Sequence, residues 1–209
     1  MSLTVKTLKA ELQIVSDAGH TEVFNPATGA RLGSLANTPA ERYPDIFNCA
    51  RAAQRICAEK TFAERRRELH KMAVFIRDHS DELARIISEG NGKTRQDALV
   101  SEVLPCALAC EWYGKNAARV LRDERREMSS LVWVGKRSRV TYEALGVVGI
   151  ISPWNYPLSI PFEEVVMGLM AGNAIVLKVA SATPLIGKAY KSNYSAMHSV
   201  AGCWKYRAG

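Results

Sequence analysis

No stretch of the 209 residues approaches the roughly 18 to 20 consecutive apolar positions of a membrane span. The opening MSLTVKTLKAELQIV also lacks the long apolar core of a signal peptide. Both absences point to a soluble, cytoplasmic chain with no membrane partner. The five cysteines, Cys49, Cys57, Cys106, Cys110 and Cys203, include no C-x-x-C pair and no dense disulfide spacing, the pattern of reduced thiols. His20, His70, His79 and His198 stand at no metal-ligand spacing, which argues against a histidine-built metal site. Internal repeats and low-complexity linkers are missing as well. Acidic residues stop at Glu164, and the five cations that follow (Lys178, Lys188, Lys191, Lys205 and Arg207) account for most of the net charge of +7. No nucleic-acid-binding motif accompanies that charge, so nucleic acid is not expected as a partner. In ERRRELHK, Glu64 and Glu68 interleave with Arg65, Arg66 and Arg67, as on a solvated helix face.

The composition is that of a globular protein, with 47% hydrophobic and 23% charged residues. TEVFNPATGARLGSL predicts two short strands around a turn opened by Asn25-Pro26, with Gly29 at positive φ. A helical stretch from about Ala40 to Lys60 follows. Thr61 and Glu64 have capping-box spacing at the head of a second helix, which buries Phe62, Leu69, Met72, Ala73 and Ile76. Ser80 is expected to cap a third helix that ends near Gly90 and Gly92. Thr94 and Asp97 open a long fourth, kinked or broken near Pro105 and running towards Arg122.

The pattern changes after Met128. SSLVWVGKRSRVTYEALGV reads as strands of an exposed arm or hairpin. GVVGIIS, Gly146 to Ser152, and AIVLKVA are uninterrupted apolar runs, expected as parallel strands covered on both faces. Between them Ser159 is expected to cap a helix with Pro161, Glu163 and Glu164 in its first turn, stopped by Gly172-Asn173. Another helix begins at Thr183-Pro184, and Ile186, Tyr190, Tyr194, Met197, Ala201 and Trp204 continue at helical spacing. Strand, helix, strand, helix over about forty residues is the βαβ pattern. The fold class is therefore α/β: an N-terminal helical segment, part of a Rossmann-like doubly wound parallel sheet, and a β arm. The divisions are residues 1–127, 128–147 (the arm), 148–187 (the βαβ unit) and a tail, 188–209.

Three motifs invite chemistry. GNGKT, Gly90 to Thr94, lacks the glycine a phosphate loop needs five residues before Gly92, where Ile87 stands, so it reads as a helix end. Cys106 and Cys110 lie four apart with no further ligands and read as small buried residues, and Cys203 has no identifiable base. The third is the pair of strand ends, where an open α/β sheet binds ligands. The first strand delivers Pro153, Trp154 and Asn155, and the second delivers Lys178 and Ser181. Lys178 either meets a hydroxylated ligand or snorkels to solvent. Asn155 either stabilises an oxyanion or caps its own turn.

YEALGVVGIISPWNYPLSIPF followed by LMAGNAIVLKVASATPL closely resembles the aldehyde dehydrogenase superfamily. FNPATGARLG, the Glu89–Ala98 segment and WYGKNAA at Trp112–Ala118 resemble it too, so the likeness runs from about Thr21 to Lys188. The resemblance implies NAD or NADP as cofactor, with Ile151, Ser152, Pro153 and Trp154 lining the nucleotide site and Lys178 on the adenosine ribose. It implies that Asn155 donates its amide to the oxyanion formed when the family's cysteine attacks an aldehyde substrate. Many NAD-preferring relatives carry a glutamate at the position of Ser181, and a neutral serine admits the 2′-phosphate of NADP. It further implies homo-oligomerisation through the arm. The family's Gly-rich loop, general-base glutamate and nucleophilic cysteine lie downstream of residue 209, and Cys203 lacks the usual G-Q-x-C context. The expectation is a truncated family member with a tail unlike the family, or else a non-catalytic module that binds nucleotide or pairs with other subunits.

Overall fold

The computed structural model describes residues 19–126, 136–187 and 204–207, the last four by backbone alone. Expected features at MSLTVKTLKAELQIV, at SSLVWVG and in the tail from Lys188 to Cys203 lie outside the described residues.

Strands β1 (His20–Phe24) and β2 (Arg31–Ala36) form the expected antiparallel hairpin. Asn25 Oδ1 accepts from the Ala27 and Thr28 amides, and Gly29 takes φ +70°, so the turn follows from Asn-Pro and Gly chemistry. A 3-10 turn, Ala40–Arg42, leads into α1 (Tyr43–Glu59). Helix α2 (Phe62–Asp78) opens on a complete Thr61–Glu64 capping box and buries Leu69, Met72, Ala73 and Ile76, with Phe62 half-buried at the margin. In α3 (Ser80–Asn91), His79 rather than Ser80 holds the N-cap position, and the helix ends on Gly92 at φ +87°.

The fourth helical segment is broken where proline predicts it, although the break has its own form. A short α4 (Arg95–Ala98), opened by Thr94 accepting from the Asp97 amide, runs into a π turn at Leu99–Val103 and then α5 (Leu104–Val120). Pro105 has no N–H to continue the α ladder, and the helix widens just before it. Strands β3 (Glu124–Arg126) and β4 (Ser138–Val140) form a two-stranded antiparallel ribbon. It begins four residues before Met128, earlier than the hydrophobic pattern suggested.

Strands β5 (Val147–Ile151) and β6 (Ala174–Lys178) pair in parallel around helix α6 (Ser159–Met170), as the βαβ pattern predicts. Asn173 fixes their register. Its buried side chain accepts from the Gly146 amide at 2.9 Å and donates to the Gly168 carbonyl at 3.2 Å, tying the start of β5 to the end of α6. Strand β6 is central and nearly enclosed. Strand β5 departs from the expectation of cover on both faces: Ile150 is buried, but Gly149 is exposed and Ile151 is 80% exposed. Among the described residues it is the edge of a three-stranded sheet, with one face packed on the core. The tail gives a further correction. Trp204, which fell at helical spacing, starts β7 (Trp204–Arg207), parallel to the other side of β6. WKYR also alternates at the period of a strand, and the open side of β6 offers the ladder that such a segment completes.

The core runs continuously from α1–α5 into α6, β5 and β6. Arg65 joins the two ends of that core, donating to the Cys57 and Ala58 carbonyls at the end of α1 and to the Met170 carbonyl at the end of α6. Among the described cysteines, Cys49, Cys106 and Cys110 are free thiols, whereas Cys57 is disulfide-bonded, a departure from the expectation of reduced thiols throughout. No helix among the described residues is long and apolar enough to cross a membrane.

Candidate nucleotide and oxyanion site

The carboxyl ends of β5 and β6 lie side by side, with Ile151 opposite Lys178. The Ser152 amide donates to the Lys178 carbonyl at 2.9 Å, so the ladder continues one residue past β5. Ser152 is buried and its hydroxyl donates to the Pro153 carbonyl. Lys178 Nζ donates to the Val179 carbonyl at 3.2 Å and reaches Ser181 Oγ at 3.5 Å. The ammonium thus sits at the strand end beside an exposed hydroxyl, with donor capacity left for a third partner.

The loop from Ser152 to Leu158 carries the remaining candidates. Pro153 is half-buried, Trp154 is 63% exposed, and Asn155 is exposed. No hydrogen bond with any described residue engages the Asn155 side chain, so it does not cap its own turn. What holds this loop is its backbone. Asn91 Nδ2 donates to the Trp154 carbonyl at 2.8 Å, and Lys93 Nζ donates to the Asn155 carbonyl at 3.0 Å. Lys93 also lies 4.2 Å from the centroid of the Tyr156 ring, a cation–π contact.

Glu102 supplies the other fastening. It is completely buried, and its Oε1 accepts from Lys93 at 2.6 Å. Its Oε2 accepts from the Leu158 amide at 2.8 Å and the Ser159 amide at 3.4 Å. These amides begin α6, so a carboxylate from the π turn caps a helix more than fifty positions downstream. Ser159 makes no side-chain cap, and no acidic residue lies in the first turn of α6, contrary to the expectation for Ser159, Glu163 and Glu164.

The strand-end reading singled out Pro153, Trp154, Asn155, Lys178 and Ser181, the family resemblance added Ile151 and Ser152, and all seven lie at one end of the sheet. Both readings missed Asn91, Lys93 and Glu102. One signal was available: Glu102 is the only charge in the apolar run ALVSEVLPCALAC, and a carboxylate in such a run is buried only with partners. GNGKT ends a helix, as expected, and its lysine then turns back to the WNYP loop.

A groove of about 740 Å³ near the start of α2, lined by Thr61, Glu64, Arg66, Arg67 and Lys115, holds none of these residues. Thr61 and Glu64 there are already bonded to each other. The Cys106 and Cys110 thiols form no nucleophilic site either. Burial pushes Cys106 well up and raises Cys110 to about 12, which keeps both protonated.

A family model described as the aldehyde dehydrogenase family matches residues 14–195, seven positions beyond each end of the likeness visible by eye. The Sinorhizobium fredii protein named "Probable succinate-semialdehyde dehydrogenase (NADP(+))" is 36% identical over 167 residues, 80% of this chain and 33% of that protein. The crystal structure of an aldehyde dehydrogenase from Brucella melitensis biovar abortus 2308 superposes with a TM-score of 0.82 at 26% identity, covering 94% of this chain and 40% of that one. That of PnpE in complex with nicotinamide adenine dinucleotide gives 0.79 at 27%, covering 91% and 38%. The chain spans about a third of the length of the curated relatives it matches.

Proposed function

The chain belongs to the aldehyde dehydrogenase family, and from that premise we propose that its residues form the nicotinamide-nucleotide and oxyanion-donor part of an aldehyde-oxidising site. The observation that carries this reading is Asn155: an exposed amide without a hydrogen-bond partner among the described residues, on a loop anchored through its backbone beside the Lys178–Ser181 pair. The residues fit a dinucleotide. Lys178 keeps a donor for vicinal ribose hydroxyls, Ser181 Oγ stands within reach of them, and Ile151 and Trp154 offer exposed apolar surface to a flat ring. Ser152 and Pro153 set the backbone between these two contacts.

When bound, NAD or NADP supplies the hydride acceptor for oxidation of an aldehyde to a carboxylic acid. The chain's own contribution is electrostatic. The Asn155 amide donates to the oxygen of the substrate carbonyl as that oxygen gains charge, and the backbone fastening lowers the cost of holding it in place. The division proposed is 1–127, 128–147, 148–187 and 188–209, with the ribbon of the arm reaching back to Glu124. Pairing of subunits through the arm is proposed from the family to which the chain belongs. Sedimentation velocity of the purified chain tests that pairing, and a monomer at all concentrations would remove it.

Nucleotide binding is tested by titrating the chain with NAD+ and NADP+ and following tryptophan fluorescence. Saturable quenching is expected, weakened about tenfold in Lys178→Met through loss of charge-assisted hydrogen bonds worth roughly 1.5 kcal/mol. Absence of saturation at millimolar nucleotide would refute the reading. In any longer product of the gene that includes a nucleophilic cysteine, Asn155→Ala is expected to lower kcat by about 100-fold.

A further inference from the structure

The geometry points to Lys93 and Glu102 as positioning residues that hold the Asn155 amide in its working orientation. This inference rests on the oxyanion role proposed above. An ammonium has three N–H donors, and each of those on Lys93 has a matched receptor: Glu102 Oε1 at 2.6 Å, the Asn155 carbonyl at 3.0 Å and the face of Tyr156 at 4.2 Å. Glu102 in turn holds the Leu158 and Ser159 amides. The ion pair therefore grips the loop at both ends of Asn155–Ser159 through backbone groups and the Tyr156 ring, leaving the Asn155 side chain unengaged. The Lys93 side chain is 11% exposed and that of Glu102 is 0% exposed, so water does not compete strongly for either charge.

Such a buried pair is expensive to desolvate, and where no other groups depend on it an apolar pair of similar volume is often as stable. What an apolar pair cannot do is fix a carbonyl and two amides at once. Glu102 reaches those groups because it lies on the π turn, a local widening of the kind that recurs at functional sites. Asn91 adds a separate, exposed bond to the Trp154 carbonyl.

The test is 15N relaxation on the 209-residue chain, comparing the wild type with Lys93→Met, Lys93→Arg and Asn91→Ala. In the wild type the backbone amides of Asn155 and Tyr156 are expected to have order parameters near 0.85, typical of rigid backbone. Lys93→Met is expected to bring them below about 0.6 while leaving core amides such as Met72 unchanged. Lys93→Arg, which keeps the charge and the donors, is expected to restore them, and Asn91→Ala to lower Trp154 alone. Unchanged order at Asn155 in a folded Lys93→Met variant would overturn the inference. If that variant does not fold, Glu102→Gln, which keeps the side-chain volume, decides by the same measurement. Titration with NAD+ on the same samples separates the two readings. A loosened loop in a chain that binds no nucleotide sinks the proposed function while the fastening of the loop by Lys93 stands. A rigid loop in a Lys93→Met chain that still binds nucleotide does the reverse.

Discussion

Replacing Gly172 with alanine is expected to destabilise the turn that starts β6, and the structure says through which atoms. Gly172 has φ +84°, where a Cβ costs about 1–2 kcal/mol. The added carbon would also stand 2.9 Å from Arg65 Nη2 and 3.2 Å from its Cζ, so the guanidinium must retreat. Retreat breaks its 2.8 Å bond to the Met170 carbonyl. Arg65 is half-buried, which discounts that charge-assisted bond to about 1 kcal/mol, and the single variant should lose about 2–3 kcal/mol. Arg65→Met alone removes the bonds to Cys57, Ala58 and Met170 and should lose about 2 kcal/mol. In the double variant no guanidinium is left to displace, so only the strain of the left-handed backbone adds, for a total of about 3–4 kcal/mol. The cycle should therefore show coupling of about 1 kcal/mol, outside the few tenths by which independent sites deviate from additivity. Urea unfolding followed by far-ultraviolet circular dichroism measures all four corners. Strict additivity would refute the steric part of the argument, leaving backbone strain alone.

Other outcomes follow from the strand end and the thiols. Ser181→Glu should weaken NADP+ by tenfold or more and change NAD+ by less than about threefold, since a carboxylate near a 2′-phosphate repels it by about 1–4 kcal/mol at 4 Å; an unchanged ratio of the two affinities would place the 2′ position elsewhere. Cys110 titrates at about 12 in the fold against 9.0 ordinarily, so the native state binds the proton more tightly. That contribution is fully present below about pH 9 and is lost as pH rises towards 12, at about 1.4 kcal/mol per pH unit. Unfolding midpoints measured from pH 8 to 11 should fall less steeply in Cys110→Ala, and identical slopes would show that the thiol is not shielded as drawn. Alkylation with iodoacetamide at pH 8 should modify exposed Cys49 well before Cys106 or Cys110, with equal rates counting against burial of the pair.

The features legible in the sequence are those whose two halves lie within a few residues of each other. The Thr61–Glu64 box, the Asn25–Gly29 turn and the Lys178–Ser181 pair each span three or four positions, and the backbone conformation between them is set by the residues themselves. Central β6 was legible for the same reason, because enclosure on both sides writes a continuous apolar run. Where a distant group competed with a local one, the local reading lost. Ser159 stands where a cap belongs, yet Glu102 takes the amides, because a buried carboxylate without that helix end would have a single partner in Lys93. Trp204 fits a helical face by spacing, yet the ladder of β6 draws it into a strand.

The candidate site divides along the same line. Its ligand-facing members cluster in two short runs, whereas the residues that hold Asn155 in place sit more than fifty positions upstream, in a helix end that shares the family likeness and a π turn that carries none of it. A solitary charge in an apolar run is the trace such a support leaves. It marks where to look without naming the partner, because the partner is chosen by how α5 and α6 pack. At Glu102 that packing brings one carboxylate against a lysine, two helix amides and, through the lysine, the carbonyl of the residue whose side chain must stay free.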